Sequence, residues 1–142
     1  MTSSGPQPVH IEGVDATVES ATFFDAVGGH PTFQRLVAAF YARVEHDADL
    51  RALYPEQDLE PAAERLRMFL EQYWGGPHTY SEVRGHPRLR ARHAPFHVDA
   101  AARDSWLTHM RAALDEIGLP EEADRVLWDY LTVAANMLVN AE

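Results

Sequence analysis

The strongest chemical signature in the sequence is a histidine that follows a cluster of arginines. His93 lies at the end of a short predicted helix, which must stop at Ala94-Pro95 because the residue before a proline avoids the helical conformation. The arginines that lead into it are Arg84, Arg88, Arg90 and Arg92. An imidazole at a helix end, beside apolar residues and near arginines, can bind the metal of a flat apolar cofactor that carries carboxylates on its rim.

The other histidines do not form a compact metal-binding motif. No His-Glu-x-x-His pattern is present, and Pro95 prevents His93 and His97 from sharing a helical face. A site with a single histidine points to haem, because the porphyrin supplies four further ligands to the iron. The spacing alone leaves a second interpretation open, in which His93 is a structural residue that ends a helix.

The composition excludes several kinds of chemistry. The sequence has no cysteine, and all twelve of its Lys and Arg residues are arginines. Thiolate metal sites, iron–sulfur clusters, cysteine nucleophiles, thioether attachment of haem and Schiff-base lysines are therefore ruled out. The net charge of −10 argues against a nucleic acid or an anionic membrane as partner.

The chain is long enough for one domain preceded by a tail. Residues 1–21 are rich in Ser, Thr, Gly and Pro, which predicts a disordered or loosely packed tail, and residues 22–142 are expected to form the domain. The first residues lack the basic and apolar regions of a signal peptide, and no apolar run reaches membrane-spanning length. We therefore expect a cytoplasmic protein without membrane insertion.

Apolar residues recur at helical spacing in four stretches, and no strand pattern is present. Four long helices are predicted, at about 31–44, 59–73, 100–117 and 121–138, with Asp99 as the N-cap of the third. Shorter helical turns are expected near 23–27, 48–53 and before His93, and a loop over 78–87. In the second long helix, Tyr73 is predicted on the inner face, and Arg67 and Glu71 are predicted to pair weakly on the outer face.

Three aromatic residues that carry a hydrogen-bond donor are also candidate site residues. Tyr41, Tyr54 and Trp106 each combine an apolar body with a donor that needs a partner when buried. Taken singly, each is most simply a core residue bonded to a backbone carbonyl. Taken together, they can supply hydrogen-bond donors around one pocket.

Several motifs together are specific enough to indicate a family. With them, the sequence resembles truncated haemoglobins of group II, the O type, from about Phe23 to Asn140. The motifs are Phe24-Asp25-Ala26-Val27-Gly28-Gly29, Phe40-Tyr41, Leu53-Tyr54-Pro55, the run from Glu64 to Pro77, Tyr80-Ser81-Glu82, the run from Arg84 to Arg90, Arg92-His93-Ala94-Pro95-Phe96 and Arg103-Asp104-Ser105-Trp106-Leu107.

The resemblance implies an all-α fold, a two-over-two helical sandwich around a non-covalent haem b. It assigns His93 as the proximal iron ligand. The distal polar residues that it implies are Tyr41, Tyr54 and Trp106, and the expected haem-pocket residues are Ala62, Leu66, Phe69, Phe96 and Met110. Arg65 matches a partner of a haem propionate, and Arg92 is a second candidate because it is next to His93.

The predicted function is to bind O₂, and also NO, CO or peroxide, at one iron and to retain the ligand. NO dioxygenation or peroxidase-type redox chemistry would follow, with the three distal residues as the catalytic groups and a reductase as partner. An O₂ or redox sensor and an O₂ carrier remain as alternatives, as does a helical interaction module without cofactor. The sequence leaves open whether the protein is a monomer or a homo-oligomer.

Overall fold

The structure, a computed structural model, describes residues 22–142, which contain eight helices and no strand. The four long helices are α2 (His30–Val44), α4 (Glu60–Tyr73), α7 (Ala100–Ile117) and α8 (Glu121–Leu138). The four short ones are α1 (Phe23–Ala26), α3 (Ala48–Arg51), α5 (Thr79–Arg84) and α6 (Leu89–His93). The all-α prediction is confirmed. The predicted tail, residues 1–21, lies outside the described residues.

The long helices form two packed pairs, α2 with α4 and α7 with α8, around one core. Helix α2 packs against both α4 and α7, and α7 packs in turn against α8. Helix α2 is the centre of this arrangement because Phe33, Phe40 and Val44 recur at helical spacing on one face and are fully buried. This is the expected two-over-two sandwich, and the four predicted long helices lie close to their predicted bounds.

The boundaries of α7 follow from residues that the sequence already shows. The Asp99 side chain accepts a hydrogen bond from the Ala102 amide at 2.8 Å, which confirms it as the N-cap. At the other end, Gly118 adopts a left-handed conformation with φ of 65°, which favours glycine and ends the helix.

The prediction of a loop over residues 78–87 is wrong, because part of this segment forms α5. The Gln72 side chain accepts a hydrogen bond from the Ser81 amide at 2.9 Å and donates one to the Ser81 hydroxyl at 2.7 Å. Tyr80 is buried and packs edge-on against Phe69, with ring centroids 5.7 Å apart. The segment has no helical period of its own, and contacts with α4 stabilise this helix.

The inner and outer faces of α4 also differ from the prediction near its C-terminus. Tyr73 was expected inside, but it is 51% exposed and stacks on Tyr130 of α8 with ring centroids 4.1 Å apart. Glu71 was expected outside, but it is only 4% exposed and binds Arg67 at 3.0 Å and His30 Nδ1 at 2.8 Å. Because α2 begins at His30 next to this carboxylate, the pair is part of the α2–α4 contact.

None of the helices in residues 22–142 is both long and apolar enough to cross a membrane.

Candidate functional site

A large cavity lies between the two helix pairs and brings most of the predicted site residues together. Its volume is about 640 Å³, which is within the range of pockets that bind small molecules and cofactors. The predicted residues that line it are Tyr41, Tyr54, Ala62, Arg65, Leu66, Phe69, Arg92, His93, Phe96 and Trp106. Side chains from α8 complete the wall, namely Tyr130, Leu131, Ala134, Ala135 and Leu138.

Met110 is the one predicted pocket residue that does not line this cavity. It is fully buried in the hydrophobic core, one turn beyond Trp106 on α7. The helical period correctly predicts that Met110 is on the inner face of α7. At this position, however, the inner face packs against core residues and does not border the cavity.

His93 is the last residue of α6, and its ring is oriented by the backbone of the same helix. The Nδ1 atom lies 2.7 Å from the carbonyl oxygen of Leu89. A carbonyl only accepts hydrogen bonds, so Nδ1 carries the proton and the lone pair is on Nε2. This tautomer is the one in which imidazole binds a metal through Nε2, with a backbone carbonyl as its second hydrogen-bond partner.

The segment around His93 is held by polar contacts that the sequence did not indicate. The Asn140 side-chain amide donates to the carbonyl oxygens of His93 at 3.1 Å and Phe96 at 3.0 Å, and its oxygen accepts from the Val98 amide at 2.9 Å. On the other side, Arg92 donates to backbone carbonyls of the last residue of α5 and of the loop between α5 and α6. These carbonyls belong to Arg84, His86 and Pro87.

The three predicted distal residues come from three different elements and meet at one end of the cavity. Tyr41 belongs to α2, Tyr54 follows α3 and Trp106 belongs to α7. The rings of Tyr41 and Tyr54 meet edge to face with centroids 5.6 Å apart, and Phe40 packs against Trp106 with centroids 5.1 Å apart. The core residue Phe40 therefore supports two neighbours of the cavity, since it also contacts Tyr41 at 4.9 Å.

Both distal hydroxyls keep their protons at neutral pH. Burial raises the pKa of Tyr41 well above its ordinary value, and the neighbouring Tyr54 adds to the rise. Burial also raises the pKa of Tyr54, although hydrogen bonds involving Tyr41 and Trp106 act in the opposite direction. The two groups are therefore available as hydrogen-bond donors, together with the indole N–H of Trp106.

A histidine and an aspartate connect α7, which carries Trp106, to the start of α3, which precedes Tyr54. His109 Nε2 donates to Asp47 Oδ2 at 2.7 Å, while the other Asp47 oxygen accepts from the Leu50 amide and caps α3. The hydrogen bond from His109 is the main cause that lowers the pKa of Asp47. The contribution of this pair to stability is therefore present above the ordinary aspartate pKa and is lost as the pH falls through the lowered value.

Four arginines line the cavity, and they differ in the groups that they contact. Arg65 binds Glu56 Oε2 at 2.6 Å, Arg103 binds Asp104 at 3.0 Å, and Arg92 donates to the backbone carbonyls described above. Arg84 forms no ion pair with any carboxylate of residues 22–142. It is therefore a further candidate to bind an anionic group, beside the predicted Arg65 and Arg92.

Glu56 is a cavity residue that sequence reasoning missed. One carboxylate oxygen pairs with Arg65, and Oε1 is buried without a hydrogen-bond partner in the described part of the chain. No periodic or motif signal marks this position, because it follows Tyr54-Pro55 in an irregular connection between α3 and α4. Glu56 reaches the cavity only because this connection folds against it.

Comparison with known proteins decides the family. The family model described as bacterial-like globin matches residues 22–140. The chain belongs to the bacterial-like globins. It is 39% identical over 117 residues to a group 2 truncated hemoglobin of Bacillus subtilis, covering 82% of this chain and 87% of that protein. The resemblance to truncated haemoglobins of group II is thereby confirmed.

Solved structures of globins have the same fold as this globin. A thermostable hemoglobin from the actinobacterium Thermobifida fusca is 59% identical and has a TM-score of 0.83, over 84% of this chain and 98% of that chain. A truncated oxygen-avid haemoglobin from Bacillus subtilis is 38% identical and has a TM-score of 0.80, over 84% of this chain and 100% of that chain.

Membership of the globin family implies a haem cofactor and the binding of small gaseous ligands. The residues of this globin fit that cofactor on three counts. The cavity is lined mainly by apolar side chains, the His93 tautomer leaves Nε2 available for a metal, and arginines at the cavity wall can pair with carboxylates. In the described residues, no group of three or more His, Cys, Asp or Glu side chains is arranged to hold a metal.

Proposed function

We propose that this globin binds haem b non-covalently through His93 Nε2 and retains O₂ for redox chemistry. The observation that carries the proposal is the meeting of His93 with three hydrogen-bond donors, Tyr41, Tyr54 and Trp106, at one cavity. When bound, the haem iron supplies reversible binding of O₂, NO or CO and one-electron redox chemistry. Arg65, Arg84 and Arg92 are the proposed partners of the haem propionates.

The distal donors determine how long a ligand stays. Neither Ala62 nor Leu66, which line the same cavity, has a side-chain donor, so this task falls to the two tyrosines and the tryptophan. An O₂ molecule that has accepted electron density is partly negative, and each hydrogen bond to it contributes about 1.5 kcal/mol. Two or three such bonds slow dissociation by roughly a hundredfold to a thousandfold, at tenfold per about 1.4 kcal/mol.

Slow release favours a reaction over transport. In NO dioxygenation, NO and O₂ combine with one electron to give nitrate, so the ligand must remain until NO arrives and a reductase must return the electron. Action on peroxide is the second reaction that the same donors support. The relative from Bacillus subtilis is described as oxygen-avid, which agrees with retention. A cytoplasmic location, expected from the sequence, is part of this proposal.

A non-catalytic O₂ or redox sensor is the alternative, and an O₂ carrier is a weaker one. The His109–Asp47 bond favours the sensor in one respect, because it links α7, which carries Trp106, to α3, which precedes Tyr54, and would couple a change at one helix to the other. Steady consumption of NO in the presence of a chemical reductant distinguishes the enzyme from the sensor.

The decisive test uses absorption spectra of the ferric, ferrous and oxygenated protein, followed by stopped-flow measurement of O₂ dissociation. The Trp106→Phe variant removes one donor and keeps the aromatic body. We expect O₂ to dissociate severalfold to about tenfold faster, which corresponds to one hydrogen bond to a partly charged group.

A tryptophan outside the cavity provides the matched control. Trp128 on α8 packs against the core and Arg111 but does not line the cavity, so Trp128→Phe should leave the dissociation rate unchanged. An unchanged rate in Trp106→Phe would remove this residue from the mechanism. A purified, haem-supplied protein without a haem spectrum would remove the whole proposal.

A further inference from the structure

The sixteen residues around the proximal histidine differ in charge from the rest of the chain. Residues 83–98, here called the basic segment, contain four arginines and three histidines but no Asp or Glu. Four arginines taken from a net charge of −10 leave −14 for the rest of the chain. The basic segment is therefore a stretch of net positive charge next to His93 in an otherwise acidic protein.

Two arginines of the basic segment have no contact with the cavity. Arg88 and Arg90 are exposed, do not line the cavity and form no ion pair with a carboxylate of residues 22–142. The acid nearest to them in sequence, Glu82, forms no ion pair with them either. Arg84 and Arg92 line the cavity and are candidates for the propionates, so Arg88 and Arg90 are the ones left to contact a separate molecule.

The structure constrains the backbone at the first of these two arginines. Arg88 has φ of 44°, and it is the only non-glycine residue of the described chain with a positive φ. Such a backbone conformation costs free energy and persists only where its surroundings enforce it. The Arg92 guanidinium supplies this constraint, because it donates to the carbonyl oxygens of His86 and Pro87 immediately before Arg88.

An apolar side chain lies at the start of the same segment. Val83 on α5 is 69% exposed, more than any other large hydrophobic residue among those described. Protein interfaces combine apolar contacts with a rim of charged residues, and arginine is enriched in them. Val83, Arg88 and Arg90 are exposed and close together in the chain, and their composition is that of a small docking surface.

We propose that this surface binds an acidic electron-donor protein, which delivers the electron that the proposed dioxygenation consumes. This inference rests on the proposed function. In the step, the donor would lose one electron, the haem iron proposed to bind at His93 would gain it, and no atom would be transferred. Salt screens exposed charges beyond about 8–10 Å, so the local basic segment dominates over the overall negative charge when a partner comes close.

The test measures binding of a purified acidic [2Fe–2S] ferredoxin to the full-length haem protein, by calorimetry at low and at high salt. The variant is Arg88→Asn with Arg90→Glu, in which asparagine tolerates the left-handed backbone. The matched control is Arg125→Asn with Arg35→Glu, which changes the charge by the same amount at exposed arginines on α8 and α2.

We expect the Arg88→Asn/Arg90→Glu variant to bind the ferredoxin about tenfold more weakly at low salt. Its binding should also lose most of the salt dependence, because rim charges act mainly through long-range attraction. The control should stay within about twofold of the parent. Electron transfer from the ferredoxin should slow in proportion, while reduction by a small chemical reductant stays unchanged in both variants.

Three results would overturn the inference. The first is equal binding by the Arg88→Asn/Arg90→Glu variant and the parent. The second is an equal loss of binding in the control, which would mean that only the net charge matters. The third is tighter binding of the parent to duplex DNA or to phosphatidylglycerol vesicles than to the ferredoxin. The haem spectrum and NO consumption with the chemical reductant report on the proposed function separately, so failure of the docking surface leaves those readouts intact.

Discussion

The two sides of the cavity are built in different ways. On the distal side, Tyr41 and Trp106 belong to long helices and pack against Phe40, which is completely buried in the core. On the proximal side, α6 has only five residues and none of them is fully buried. Hydrogen bonds from Arg92 and Asn140 to backbone carbonyls hold this short helix in place.

The difference shows which forces position each half of the site. Apolar burial supports the distal donors, so their geometry depends mainly on the packing of the core. Polar contacts near the surface support His93, and such contacts contribute less each because water competes for them. We therefore expect the distal side to be rigid and the proximal side to open more readily.

The largest effect is expected from removal of the proximal ligand. The His93→Gly variant should lose axial coordination by the protein and regain it when free imidazole is added, because the variant leaves space for an imidazole at the same position. Absorption and resonance Raman spectra measure this. His97→Gly is the control, since His97 is exposed, does not line the cavity and, within residues 22–142, pairs only with Asp99 at 3.5 Å. Unaltered axial coordination in His93→Gly would disprove the assignment.

The next largest effect tests the apolar support of the distal side. Phe40→Ala should lower the free energy of unfolding by about 3–5 kcal/mol, the usual cost of deleting a buried phenylalanine. Phe96→Ala at the half-buried proximal side should cost clearly less. Denaturant unfolding at equal haem content measures both. Equal losses would mean that the two sides are supported alike, contrary to the comparison.

The smallest effect tests the polar support of the proximal side. Asn140→Ala removes the side-chain bonds to His93, Phe96 and Val98 and should cost about 1–2 kcal/mol, because these groups are partly solvated. Amide exchange at Val98 should accelerate and the iron–histidine stretching frequency should change, while O₂ dissociation stays close to the parent value.

An exposed asparagine one turn earlier is the control for this change. Asn136→Ala removes only an acceptor for Arg103 at 3.2 Å and should leave exchange at Val98 unaltered. The prediction would be contradicted if Asn140→Ala changed the O₂ dissociation rate more than it changed the Val98 amide exchange and the iron–histidine stretching frequency.

The sequence by itself determined the long helices and the family. Helical spacing of apolar residues is a local property, so α2, α4, α7 and α8 could be predicted closely, and Asp99 could be recognised as a cap. The motif that contains His93 indicated the truncated haemoglobins, and the residues proposed to bind haem follow from that resemblance. These predictions depend on residues that are close together in the chain.

The tertiary structure decided what depends on contacts between distant segments. Helix α5 forms because Gln72 of α4 contacts Ser81 and Phe69 contacts Tyr80. No local sequence pattern predicts this helix. The same holds for the position of Glu56 at the cavity and for Asn140, which binds carbonyls more than forty residues away. A side chain that bonds a backbone carbonyl leaves no period in the sequence, because every residue has that carbonyl, and only folding selects which one it meets.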